Sequence, residues 1–191
     1  QLLGLAQTDL TIVFFAGLGA GGCFAVETLR LQSRRRRKVR DVTLLFFRTA
    51  MLSLLGLLLS ALAFALLPAL QFDPRTAVWL GLLALVGVFV SAINGMLYKI
   101  VPFLNWLHLQ KLCGLHALPP TMNQMIPEQA MRRQYYAHLA ALVLLLAAVW
   151  LPVLARPAGL AFAGACAWLG VNLVGALRAY WRFRNRIRAA A

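Results

Sequence analysis

Acidic residues are the scarcest feature of this 191-residue chain: Asp and Glu together number five, against nineteen Lys and Arg. Charged residues of both signs make up only 13% and hydrophobic ones reach 62%, with a mean hydropathy of +0.77. A soluble domain carries about a quarter charged residues and just under half apolar ones, so the balance excludes an ordinary soluble globule. Cysteine is sparse as well. Cys23, Cys113 and Cys166 stand far apart, with no CxxC and no Cys/His pair at metal spacing, which excludes a disulfide framework and a zinc site. Cys23 and Cys166 read as small buried apolar residues. There is no start Met, no basic n-region and no short apolar core with a small-residue cleavage site, so the beginning is not a signal peptide.

What is present is a series of long apolar runs. A spanning helix needs about 20 mainly apolar residues, and five such runs occur, at 10–29, 42–69, 77–104, 135–155 and 158–179. Between them lie Arg30 to Arg40, the pair Asp73–Pro74, the segment with Pro119, Pro120 and Pro127, and Arg156–Pro157. The expected fold is an all-α integral membrane bundle of five transmembrane helices, forming one transmembrane domain.

The basic residues give an orientation. Seven fall in Arg30 to Arg40, four between Lys99 and Arg133, five from Arg178 onward, and Arg48 just inside the second run; only Arg75 and Arg156 fall on the other side. Seventeen against two places the N-terminus outside and the C-terminus in the cytoplasm. An exterior N-terminus needs an upstream span to carry it across, so the sequence predicts further helices ahead of Gln1, with this chain the C-terminal part of a larger bundle. Expected partners are the bilayer, anionic lipids at the basic loops, and other transmembrane helices or subunits. The tract "RLQSRRRRKVR" is a short topology-fixing connection, which argues against nucleic acid.

"FFAGLGAGGCFAVETL", residues 14–29, has glycines at a spacing that suggests a nucleotide loop, but no strand precedes it, so close helix packing is the better account. Gly17 with Gly21, and Cys166 with Gly170 flanked by Gly164 and Gly175, are the expected small-residue faces. Asn94 and Asn172 are expected to hydrogen-bond between helices.

Five polar or ionisable residues are expected to converge on the inner leaflet: Glu27, Arg48, Tyr98, Lys99 and His138. Buried ionisable groups in a membrane default to function, and Glu27 with Arg48 is the natural pair. Lys99 and Arg48 snorkelling to the interface, with Tyr98, Trp106, Tyr135 and Tyr136 as an aromatic belt, is the plainer alternative. Pro102 is expected to kink the third helix, so that "PFLNWLHLQ" tilts along the interface. His108, His116 and His138 share the cytoplasmic side, but no two are at ligand spacing, and no metal site is expected.

The stretch "GLLALVGVFVSAINGMLYKIVPFLNWLH", residues 81–108, resembles a helix of haem-copper oxidase subunit I-like proteins and a segment of proteobacterial polytopic membrane proteins associated with that superfamily, through Gly95, Leu97, Tyr98, Val101 and Pro102. The resemblance implies respiratory or haem-linked membrane chemistry. In those oxidases the corresponding helix begins with metal-holding histidines, whereas this one begins "TAVWLGLLALVG". Haem, if bound, would take its axial ligands from outside this chain, with the inner-leaflet cluster meeting a propionate, a quinone headgroup or a proton path. A transporter half and a non-catalytic assembly subunit are the alternatives.

Overall fold

The computed structural model describes residues 2–34, 41–67, 73–113 and 124–190. Among these the chain is an all-α bundle, with five helices long and apolar enough to cross a membrane. We number them α1 (Leu2–Ser33), α2 (Val42–Leu66), α3 (Pro74–Cys113), α4 (Glu128–Trp150) and α5 (Ala155–Ala190), the last preceded by a 3₁₀ turn at Pro152–Leu154. Successive helices are antiparallel. Phe46 meets Tyr98 while Ser60 meets Trp79, and Asn172 meets Ala130 while Gln134 meets Ala165. The ends near Asp41, Cys113, Glu128 and Arg188 therefore gather on one side, called here the basic end.

Local chemistry sets the boundaries. Asp41 caps α2, accepting from the Thr43 N–H at 3.0 Å, and Asp73 caps α3, accepting from the Arg75 N–H at 2.8 Å with Pro74 as the first helical residue. Leu67 precedes Pro68 and Leu151 precedes Pro152, and a proline disfavours the helical conformation of the residue before it. Both leave the helical conformation, with φ of −108° and −119°, and both helices stop there.

The helices differ from the expected runs mainly at their ends, because hydropathy marks the lipid-embedded stretch and not the polar turns that continue it. The fourth helix starts at Glu128 instead of 135, its first turn carrying an Arg132–Glu128 pair at 2.6 Å, and ends at Trp150. The third passes through Pro102 without interruption to Cys113, so "PFLNWLHLQ" prolongs α3. His116, Pro119, Pro120 and residues 35–40 lie outside the described residues.

Within α3 the turns from Leu83 to Val90 are π-wound, between α-helical stretches Pro74–Leu82 and Ser91–Cys113. π-winding is rare and usually confined to one turn, so an eight-residue segment is an unusual element of the bundle.

The core is centred on α2–α5. Val42, Phe46, Tyr98, Ile126, Tyr135 and Ala176 form its main cluster. The first helix packs on α2 through Ala25 against Ala50 and Met51, and through Gly21 against Leu58. Gly21 is thus a close-packing position as expected. Nothing approaches the position of a Cβ on Gly17, Gly164, Gly170 or Gly175, and Cys23 and Cys166 are exposed instead of buried. The small-residue face of α5 makes no close packing within the described residues.

Candidate functional site

Phe46, fully buried on α2, is the hub of the polar interior. Its ring lies 5.0 Å from Tyr135, 5.8 Å from His138 and 6.0 Å from Tyr98, the first contact edge-on. Around this ring the polar side chains pair between helices. The Thr49 and Tyr135 hydroxyls are 3.1 Å apart, joining α2 to α4. The Asn172 amide on α5 donates to the Tyr98 hydroxyl at 2.8 Å and to the Ala130 carbonyl at 3.4 Å. Asn105 and Gln134 donate to carbonyls of α5, at Ala176 and Ala165. With hydrocarbon outside, such groups must find partners within the protein, and of the side chains named here Gln134 leaves its Oε1 buried without one among the described residues.

The deepest pair is Ser91 with His138, 0% and 1% exposed. The serine Oγ stands 2.8 Å from the imidazole Nε2 and 3.2 Å from the Val86 carbonyl. A hydroxyl has one proton to give. Both bonds form together only when Ser91 donates to Val86 and receives from a protonated Nε2, which fixes the imidazole tautomer. The Val86 carbonyl belongs to the π-wound segment, and the Ser91 backbone N–H goes to Val88. The serine side chain thus satisfies a carbonyl where π-winding returns to α, and His138 holds the serine in place. His138 lies ten residues from the start of α4 and twelve from its end, one turn past Tyr135, where the apolar run begins.

Close packing makes these meetings possible. A Cβ built on Gly87, inside the π-wound segment, would lie 2.7 Å from both Cβ and Oγ of Ser53, and one on Gly95 would lie 3.0 Å from Phe46 Cβ. Gly87, Ser91 and Gly95 follow each other at intervals of four, a small-residue stripe on α3 facing α2 and α4.

The five expected site residues are not brought together. Tyr98 and His138 are buried, each with its ring against Phe46. Glu27, Arg48 and Lys99 are exposed on the outside of the bundle. Glu27 pairs with Arg30 at 2.6 Å, three residues along the same helix, and not with Arg48. Arg48 and Lys99 fit the snorkelling alternative, since a long exposed side chain can carry its charged head along the helix toward the interface. Tyr98 and Tyr135 are interior residues and not part of a belt, whereas Tyr136 is exposed. Asn172 makes the interhelical bonds expected of it, and Asn94 is buried.

Phe46, Thr49, Ser53, Ser91 and Gln134 were not anticipated. The spacing of Gly87, Ser91 and Gly95 was a signal that could have found Ser91, and the one-turn interval from Gln134 to His138 marks a polar face on α4. No family model, curated protein or solved structure matches this chain.

Proposed function

We propose that the chain belongs to a multi-pass protein of the bacterial inner membrane, with the basic end in the cytoplasm, and that α2–α5 supply the proton-handling interior of a respiratory or haem-linked bundle of the oxidase subunit I kind. The distribution of basic residues, seventeen against two, supports the orientation. The observation that carries the functional reading is the Ser91–His138 pair. An ionisable ring buried inside the bundle is expensive where an apolar residue would pack freely, and such groups mark pathways and proton relays. That the ring also anchors a π-wound segment supports the same reading, because π-winding recurs at functional sites.

The described residues do not fit a haem. The Nε2 of His138 is engaged by Ser91, His108 is exposed near the basic end with Nδ1–H donating to the Leu104 carbonyl, and no group of three His, Cys, Asp or Glu among them could hold a metal. Arg48 and Lys99 lie outside the bundle and face no interior propionate. Axial ligands would come from other residues. What α2–α5 offer are hydroxyl, amide and imidazole groups at Tyr98, Asn172, Thr49, Tyr135, Ser91 and His138, of the kind that pass or hold protons.

The test is an optical spectrum, oxidised and then dithionite-reduced, of the protein purified from its native membrane. A Soret band with reduced α and β peaks is the expected result, and a spectrum without them at full occupancy overturns the haem-linked reading. One observation favours a second reading, a transporter half: buried polar groups beside an irregular turn of helix, as in discontinuous transport helices. Substrate-dependent flux in reconstituted vesicles would establish it. Failure of both, with loss of a partner complex on deletion, leaves an assembly subunit.

A further inference from the structure

The fifth helix runs unbroken for 36 residues, about 54 Å at 1.5 Å per residue. A hydrocarbon core about 30 Å thick takes about 20 of them. Counted from Pro157, the lipid-embedded stretch ends at Leu177, and the next residue is Arg178. The helix then continues past the hydrocarbon for three more turns, beside the overshooting end of α3, where Asn105 holds the Ala176 carbonyl and His108 stands 6.5 Å from Tyr180.

This overshoot has two sides. Ala179 is buried and Tyr180, Phe183 and Ile187 are half-buried, on the side of α3. The opposite side exposes Arg178, Trp181, Arg182, Asn185 and Arg186. Arg178, Arg182 and Arg186 are one turn apart in succession, so each neighbouring pair of guanidiniums stands within reach of a single phosphate and can grip it from two sides. Trp181 is 53% exposed at the depth where indole rings favour the headgroup region, with the Arg184 guanidinium 4.7 Å above its ring.

Among the described residues no acid is paired with this stripe. Three of the chain's five acids lie at the basic end: Glu27 is engaged by Arg30, Glu128 by Arg132, and Asp41 caps α2. We propose that the stripe Arg178–Arg182–Arg186, with Trp181, is a binding surface for the phosphate of an anionic phospholipid of the inner leaflet, and that this lipid anchors the end of α5. The proposal rests on the cytoplasmic placement of the basic end and goes beyond it by naming the residues and the ligand. The charge is complementary, the depth is that of the phosphates, and the indole supplies the interfacial contact that a free phosphate in solution does not use.

The experiment places the whole protein in nanodiscs of phosphatidylcholine alone or with cardiolipin or phosphatidylglycerol, and measures thermal stability and lipid retained after extraction. The expected result is a higher Tm in the anionic discs and several-fold enrichment of anionic lipid in the extracted protein, both lost in R178Q/R182Q/R186Q. The triple lysine variant keeps the charge and the orientation signal but lacks the two-pronged guanidinium, so it should retain an intermediate amount. Equal Tm and equal retention in the wild type and the glutamine variant overturn the proposal, as does displacement of the lipid by inorganic phosphate, which would make this a site for the free anion. Orientation is read separately with Asn185→Cys, labelled in inside-out and right-side-out vesicles. Labelling from the outer side overturns the inner-leaflet assignment even where lipid is retained.

Discussion

Ser53 closes on Gly87 so tightly that a Cβ on the glycine would fall 2.7 Å from both Cβ and Oγ of the serine. The two residues set the spacing of α2 and α3 at the π-wound segment. Gly87→Ala should therefore destabilise the bundle by about 1–3 kcal/mol, the usual cost of overpacking. Because the clash involves Ser53 Cβ, Ser53→Gly should restore part of the loss and Ser53→Ala should not. Reversible unfolding in mixed micelles measures both. Gly170→Ala is the control: nothing lies within 4 Å of a Cβ there, and alanine is the better helix former by about 1 kcal/mol.

The Ser91–His138 pair predicts an asymmetry. With His138→Leu, Ser91 keeps its bond to the Val86 carbonyl; with Ser91→Ala, Val86 and His138 both lose a partner. Serine replacement should cost more, since an unsatisfied buried group costs about 1–3 kcal/mol. A double-mutant cycle should give a coupling of about 0.5–2 kcal/mol, the range of interhelical hydrogen bonds in membranes. Zero coupling would show that the two side chains do not meet.

Asn172 holds two partners and Tyr98 one of them. Asn172→Leu should accordingly destabilise more than Tyr98→Phe, by about 0.5–1.5 kcal/mol for the additional bond. The reverse order, in the same unfolding assay, would mean that the Ala130 carbonyl contributes little.

Glu27 and Arg48 should show no coupling in a Glu27→Gln, Arg48→Gln cycle. Glu27 with Arg30 should show about 0–0.5 kcal/mol, because both side chains are more than 60% exposed. A coupling above that for Glu27 and Arg48 would place the two together and reopen the pair expected from depth.

These residues show what a sequence of this kind reveals. The five helices were legible because hydropathy alone sets membrane spans, and the breaks at Leu67 and Leu151 follow from the prolines after them. Asn172 was legible because an amide inside a span has few other uses. The cluster failed because depth along a helix says nothing about which way a side chain faces: Lys99 follows Tyr98 directly, yet one is outside and the other inside. The start of α4 was misplaced because the polar residues from Glu128 to Gln134 read as loop, whereas their i,i+4 ion pair continues the helix. The π-winding left no signature in hydropathy, since "LALVGVFV" is apolar in any register.

That π-wound segment has a consequence for the length of α3. A π turn closes its hydrogen bonds over five residues where an α turn uses four, so it houses an additional amino acid without lengthening the helix in proportion. The stretches on either side, with Trp79 against Ser60 and Tyr98 against Asn172, keep their faces toward the bundle because the surplus is absorbed between them. A chain shortened by a single residue there could run straight through as α-helix with both outer contacts preserved. What it would forfeit is the Val86 carbonyl that the Ser91 hydroxyl reaches, and with it the reason for a serine and a histidine to meet inside the bundle.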